Sequence, residues 1–210
     1  MTRTIEKTVY TFNELSDSAK EVARQWYREG DSDSDVSGTY EDAATIAALM
    51  GLDLNQRPVK LMNGSTRYDP AIYYSGFSSQ GDGACFESRY EYKKGGLKAV
   101  KGYAPKDLEL HRIARELQEV QARNFYKLTA TTKHRGHYYH ALCMDIDVCR
   151  DGDNASDSAE ESVKEALRDF ANWIYSQLES EYEWRNADAQ VDESILANEY
   201  EFYESGKRYC

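Results

Sequence analysis

Long apolar runs are missing from this 210-residue chain. No segment approaches the ~20 apolar residues that a membrane-spanning helix requires, and no secretory-type apolar stretch opens the N-terminus, so a cytoplasmic protein is expected. Cysteine is scarce too. Cys85, Cys143, Cys149 and Cys210 show no Cys-x-x-Cys spacing, which points to free thiols in a reducing compartment and not to a stapled secreted scaffold. No Gly-Lys-Ser/Thr follows the glycine-rich stretch, so there is no phosphate loop. No Ser/His/Asp or Cys/His arrangement carries a recognisable local signature, and Cys85 and Cys149 are candidate nucleophiles by residue type alone. Without an internal repeat or a long linker, the expectation is one α+β domain spanning 1–210.

What the chain does have is charge of one sign in one place. Residues 1–150 carry 21 acidic and 21 basic side chains, whereas residues 151–205 carry 16 acidic ones against Lys164, Arg168 and Arg185, a local net of −13. Such a surface repels phosphates and suits a partner that is itself basic, so direct nucleic-acid binding is not expected. The only basic concentration, Lys93, Lys94, Lys98, Lys101 and Lys106, is diluted by neighbouring acids. Seventeen tyrosines against six phenylalanines suggest a half-exposed aromatic sheet of the kind found at interfaces.

The chain is organised around Ser75-Gly76-Phe77-Ser78-Ser79-Gln80-Gly81-Asp82-Gly83-Ala84-Cys85-Phe86. Alternating aromatics on both sides predict a hairpin with a polar, glycine-lined tip. Gln80 and Asp82 either present an amide and a carboxylate to a partner, or Asp82 closes an Asx-turn over local backbone.

Other elements follow from periodicity. Residues 3–12 alternate as a first strand. Helices are predicted at Ala19–Arg28, with Val22, Ala23, Trp26 and Tyr27 inward, and at Tyr40–Met50, stopped by Gly51. A third helix runs from Pro105 to Asn124, with a stripe of Leu110, Ile113, Ala114, Leu117 and Val120. Gly30 to Asp35 begins like a calcium loop, but its glycine and late glutamate are misplaced, so an acidic connector is expected. Leu52 to Met62 reads as a strand broken near Pro58. Tyr126, Leu128 and Ala130 make one strand face and Leu142, Met144 and Ile146 the next. A three-residue turn, Arg135-Gly136-His137, pairs Leu128 with Met144 and aligns those faces. The acidic helical segment 156–198 holds one long helix, Ser158–Trp184, striped by Val163, Leu167, Phe170, Ile174, Leu178 and Tyr182. It packs on a mainly antiparallel sheet with three to five helices in all. A short helix at Asp188–Asn198 and a closing strand at Tyr200 to Tyr203 end the chain.

His134, His137 and His140 are the one set with a metal-like look. His137 falls in the turn, and Cys143, Asp145 and Asp147 project opposite His140, so the three-ligand convergence that zinc needs is not met. No cofactor or metal is assigned. Tyr73-Tyr74 and Tyr138-Tyr139 resemble base-stacking aromatics, but a positive groove is lacking. Glu160, Glu161, Glu165, Asp169, Glu179, Glu181 and Glu183 on the long helix either form a solvated face or imitate a phosphate track that fills a positive groove.

The glycine core, together with Glu41-Asp42-Ala43, Tyr103-Ala104-Pro105-Lys106-Asp107, Arg123-Asn124-Phe125-Tyr126 and His134 to His140, resembles a family of small bacteriophage and prophage proteins. Members share a Ser-Gly-Phe-x-Ser-Gln-Gly-Asp-Gly-Ala-x-Phe core and are often labelled antitoxins without a mechanism. The resemblance spans nearly the whole chain and supplies no catalytic residues. It implies a phage context, in which small acidic proteins block host immunity as anti-CRISPR proteins do. The expected function is therefore non-catalytic inhibition of a host nucleic-acid-handling defence complex with a basic surface, with DNA mimicry as one form of it; the alternative is an antitoxin neutralising a cognate toxin. The expected contacts are the seven helix carboxylates with Gln80 and Asp82.

Overall fold

The computed structural model describes residues 6–30 and 36–209. The acidic connector at 31–35 and the start of the expected first strand lie outside the described residues. In chain order the elements are β1 (Tyr10–Thr11), α1 (Asp17–Gly30), α2 (Ser37–Met50), β2 (Leu52–Leu54), β3 (Gln56–Lys60) and β4 (Thr66–Pro70). Next come β5 (Ile72–Tyr74), β6 (Ala84–Phe86), β7 (Ser88–Glu91), α3 (Gly96–Tyr103) and α4 (Leu108–Arg123). The chain finishes with β8 (Leu128–His134), β9 (Met144–Arg150), β10 (Asp153–Asn154), α5 (Asp157–Asn186), α6 (Asp188–Ala197) and β11 (Glu201–Phe202). The protein is α+β, with antiparallel pairing in every ladder and six α-helices among the described residues. The backbone gathers into two compact units, a central one, Val36–Glu179, and a terminal one made of Met1–Asp35 and Ser180–Cys210.

In the central unit a five-stranded sheet runs β10-β9-β8-β7-β2. Alternation decides its faces. Leu52, Leu54, Tyr90, Leu128, Ala130, Met144, Ile146 and Val148 are buried, while Asp53, Arg89, Glu91, Lys133, Asp145 and Asp147 are exposed. The buried stripes of α4 (Leu110, Ile113, Leu117, Val120) and α5 (Val163, Leu167, Phe170, Ile174) join the same core, as their spacing of three and four requires. Asp107 starts α4 by accepting the Leu110 N–H at 2.9 Å and takes the Trp173 indole N–H at 2.8 Å, so one carboxylate caps a helix and anchors α5.

Several strand details correct the sequence reading. Leu128 pairs with Arg150 and His134 with Met144, so the connection is not a three-residue turn but residues 135–143, ending in a 3-10 turn at Ala141–Cys143. The register keeps the predicted parity, which is what burial enforces. Leu142 leaves the strand and is 75% exposed, and Val148 takes its place in the inward face. The break in 52–62 falls at Asn55, not at Pro58. Pro58 sits inside a two-stranded β3–β4 hairpin opposite Tyr68, where a missing N–H is tolerated because no third strand needs it. The helix α3 has no counterpart in the expectation, since its Gly95-Gly96 start resembles a breaker.

Four side-chain-bearing residues among those described take the left-handed φ, Phe125, Tyr126, Asp151 and Glu199, and the first two are consecutive. Phe125 and Tyr126 follow α4 with φ of 57° and 61°, the left-handed region, which costs a side-chain-bearing residue roughly 1–2 kcal/mol. Tyr126 therefore does not begin β8 and is exposed, not packed with Leu128.

The terminal unit closes a small core of Phe12, Leu15, Ala19, Ala23, Val191, Ile195 and Phe202 beneath the β1–β11 pair. Val22 and Tyr182 point outward, contrary to expectation. An aromatic group adds to this core. Trp26 and Tyr200 meet edge to face at 5.2 Å and 89°, and the Arg208 guanidinium lies 4.8 Å and 4.5 Å from those two rings, an attraction between cation and ring quadrupole. Arg24 binds Asp192 with both Nε and Nη2, at 2.7 and 2.8 Å, and Arg28 pairs with Asp188, tying α1 to α6.

Candidate functional site

The glycine motif forms the hairpin that its sequence predicts. β5 pairs with β6 from Ile72–Phe86 to Tyr74–Ala84, and residues 75–83 make the tip. Asp82 turns back onto the loop: its Oδ2 accepts the Ser79 and Ser78 N–H groups at 2.7 and 3.0 Å. These backbone donors, Ser79 first, hold its carboxyl below the usual carboxylate range against the opposing effect of desolvation. Asp82 thus organises the loop and keeps a negative charge there, while Gln80 stays exposed at the tip. Gly83 is required by space. A Cβ there would stand 2.6 Å from His140 Cβ and 2.9 Å from its Cα, because residues 135–143 cross directly over it. Tyr175 on α5 donates its hydroxyl to the Gly76 carbonyl at 3.0 Å and packs against Phe77, fixing the loop to the helix.

These approaches produce an open cleft of about 580 Å³ in the central unit. Gly81 and Asp82 form one wall, His140, Ala141 and Leu142 the second, and Glu161, Glu165, Arg168, Asp169 and Asn172 of α5 the third. At 100° per residue, Glu161, Glu165, Asn172, Glu179 and Glu183 share the outer stripe of α5, opposite Val163, Leu167 and Ile174.

Ion pairing divides the predicted carboxylates. Glu160 is held by Lys164 and Glu181 by Arg185, each one turn along. Asp169 is bonded at 2.6 Å by Arg112, which also takes Glu109 and Glu116. Glu161, Glu165, Glu179 and Glu183 have no cationic partner among the described residues, and of these only Glu161 and Glu165 line the cleft. Glu181 and Glu183 belong to the terminal unit. The structure thus brings together Asp82, Glu161, Glu165 and Asp169, and leaves Gln80, Glu160, Glu179, Glu181 and Glu183 outside the cleft. His140, Leu142, Arg168 and Asn172 are wall residues that the charge pattern does not reveal. Arg168 Nε is buried without a hydrogen-bond partner.

The histidines do not converge. His134 Nε2 lies 3.0 Å from the Tyr138 carbonyl. His140 Nδ1 accepts the Leu142 N–H at 3.2 Å, which leaves Nε2 as the protonated nitrogen facing Cys143 Sγ at 3.3 Å; this tautomer follows from the hydrogen-bond network. Cys143 therefore lies beside His140, not opposite it as alternation along a strand would place it. An imidazole that already donates toward the sulfur has no lone pair there to remove a thiol proton, unlike an activated nucleophile. Burial pushes the Cys85 thiol up to about 12, so that group stays protonated and unreactive. No group of three His, Cys, Asp or Glu side chains among the described residues can hold a metal ion.

Fold and cleft together define an α+β protein with a partly acidic, open cleft, and no helix among the described residues is long and apolar enough to cross a membrane. Residues 36–188 match the model of the family described as Domain of unknown function (DUF8835), and the chain belongs to that family. The match begins where the central unit begins and ends at Asp188, the first residue of α6, so most of the terminal unit lies outside it. No curated protein and no solved structure matches the chain.

Proposed function

We propose that the protein is a non-catalytic phage inhibitor acting in the bacterial cytoplasm. It sets its cleft against a basic surface of a host nucleic-acid-handling defence complex, in the manner of an anti-CRISPR protein. The observation that carries this reading is the pair Glu161 and Glu165, exposed and in no ion pair among the described residues, facing the Asp82 loop across a cleft that Arg168 also lines and exposed Leu142 rims. Carboxylates one helical turn apart, about 6 Å along the axis, attract the lysines and arginines that otherwise hold phosphates, and the leucine adds short-range contact where charge alone gives mainly rate and specificity. The resemblance to phage proteins supports the setting. Three of the seven helix carboxylates, Glu160, Asp169 and Glu181, are neutralised internally, so the acidic contact is a local one and not a continuous phosphate-like track.

The labels of the resembling family favour a second reading, an antitoxin that uses the same cleft. Expression in a CRISPR-immune host separates the two. Under the first reading the wild-type chain restores phage plating by at least about tenfold and E161K/E165K, whose reversed charges repel a basic surface, does not. Absent protection, coupled with a neighbouring gene that is toxic alone and silenced by this chain, would establish the second.

A further inference from the structure

The segment Arg123–Tyr126 takes no part in the cleft, yet it holds the strained pair Phe125 and Tyr126. The two residues are 71% and 49% exposed. The backbone is pinned in place: the Tyr126 N–H reaches the Gln121 carbonyl at 2.7 Å, and the fully buried Gln121 amide bonds both backbone groups of Leu128 at 2.8 and 3.1 Å. A helix end that needs positive φ accepts glycine without steric cost. Two aromatics at such positions, largely in solvent, gain little for the fold and are held where a partner can reach them. Tyr92 packs on Tyr126 with centroids 4.4 Å apart, and the Arg150 guanidinium sits 5.4 Å from the Phe125 centroid.

We infer that Phe125 and Tyr126, with Tyr92 and Arg150, are the contact surface for a second copy of this chain. Charge selects the occupant. Two chains of net charge −11 repel across acidic surface, but around these rings the signs alternate. Arg150 lies over Phe125 and is the strand partner of Asp153, and the exposed Lys127–Asp151 pair closes at 2.7 Å. A nearly balanced patch can meet itself across a twofold axis, cation to anion, as a symmetric dimer demands. Its aromatic and arginine content is that of interface centres. A strongly basic protein is drawn to the cleft instead, and a nucleic acid meets Asp151 and Asp153.

Sedimentation of the full chain from about 1 to about 200 µM tests this through mass action. The expected result is a concentration-dependent species of twice 24.1 kDa. F125G/Y126G weakens association at least about tenfold, as loss of a central aromatic pair does. Measured at dilution, where both proteins are monomers, the variant's unfolding midpoint equals or exceeds that of wild type, because glycine relieves the positive φ. A wild-type chain monomeric throughout, a variant that dimerises equally well, or a variant with a lower midpoint would each overturn the assignment; the last would mean that the rings serve the fold.

Discussion

The two units of this protein use acidic side chains differently. The terminal unit has 16 acidic and eight basic residues, a net of −8, and the central unit 21 and 18, a net of −3. Yet the cleft is in the less charged unit. In the terminal unit, Asp188 and Asp192 are taken up by Arg24 and Arg28, joining α1 to α6. In the central unit Arg112 collects Glu109, Glu116 and Asp169, and Glu161 and Glu165 enter no ion pair among the described residues beside a concave surface. Formal charge along a segment therefore does not show where carboxylates stay unpaired; that depends on which of them the fold has used.

Three perturbations break or sharpen this contrast. The largest effect is expected from Gly83→Ala in the central unit. Its methyl would fall inside contact distance of the His140 backbone, forcing residues 135–143 away, and overpacking of this kind costs about 2–3 kcal/mol. A denaturant midpoint shows the loss, and Glu161/Glu165-dependent binding should fall with it. Arg24→Ala is next. It leaves Asp192 and Asp188 side by side without the cation that both approach, a loss of about 1–2 kcal/mol for a partly exposed pair. Hydrogen exchange should speed up in α1 and α6 and stay unchanged in β8; equal loss in β8 would mean that the two units open as one. The smallest effect is on Asp82. Its carboxyl is lowered in the folded protein, so its contribution is complete above the ordinary aspartate value of about 4 and is lost as pH falls through the lower folded value. Exchange of the Ser78 and Ser79 amides should accelerate in that acid range, and Asp82→Asn should remove the pH dependence.

Much of the fold is legible in the sequence because periodicity reports burial directly. The stripes of α4 and α5 and the parity of the β8–β9 register follow from which residues must be inside. The length of the 135–143 connection does not, because a 3-10 turn capped by the His140 ring has no periodic signature. Nor do the left-handed Phe125 and Tyr126, which occupy positions where glycine is the usual signal. In the cleft, Asp82, Glu161, Glu165 and Asp169 can be picked out by type. That Arg112 removes Asp169 from the free set, or that residues 135–143 deliver His140 and Leu142 to the same cleft, depends on contacts between segments far apart in sequence.

The most direct test of the account sets the two units against each other with equal changes of charge. E161K/E165K alters the cleft, and E193K/E204K makes the same change at exposed positions of the terminal unit. Protection of phage in a CRISPR-immune host should be lost with the first pair and kept with the second. Equal loss with both, or protection that survives E161K/E165K, would contradict the claim that the unpaired cleft carboxylates make the contact.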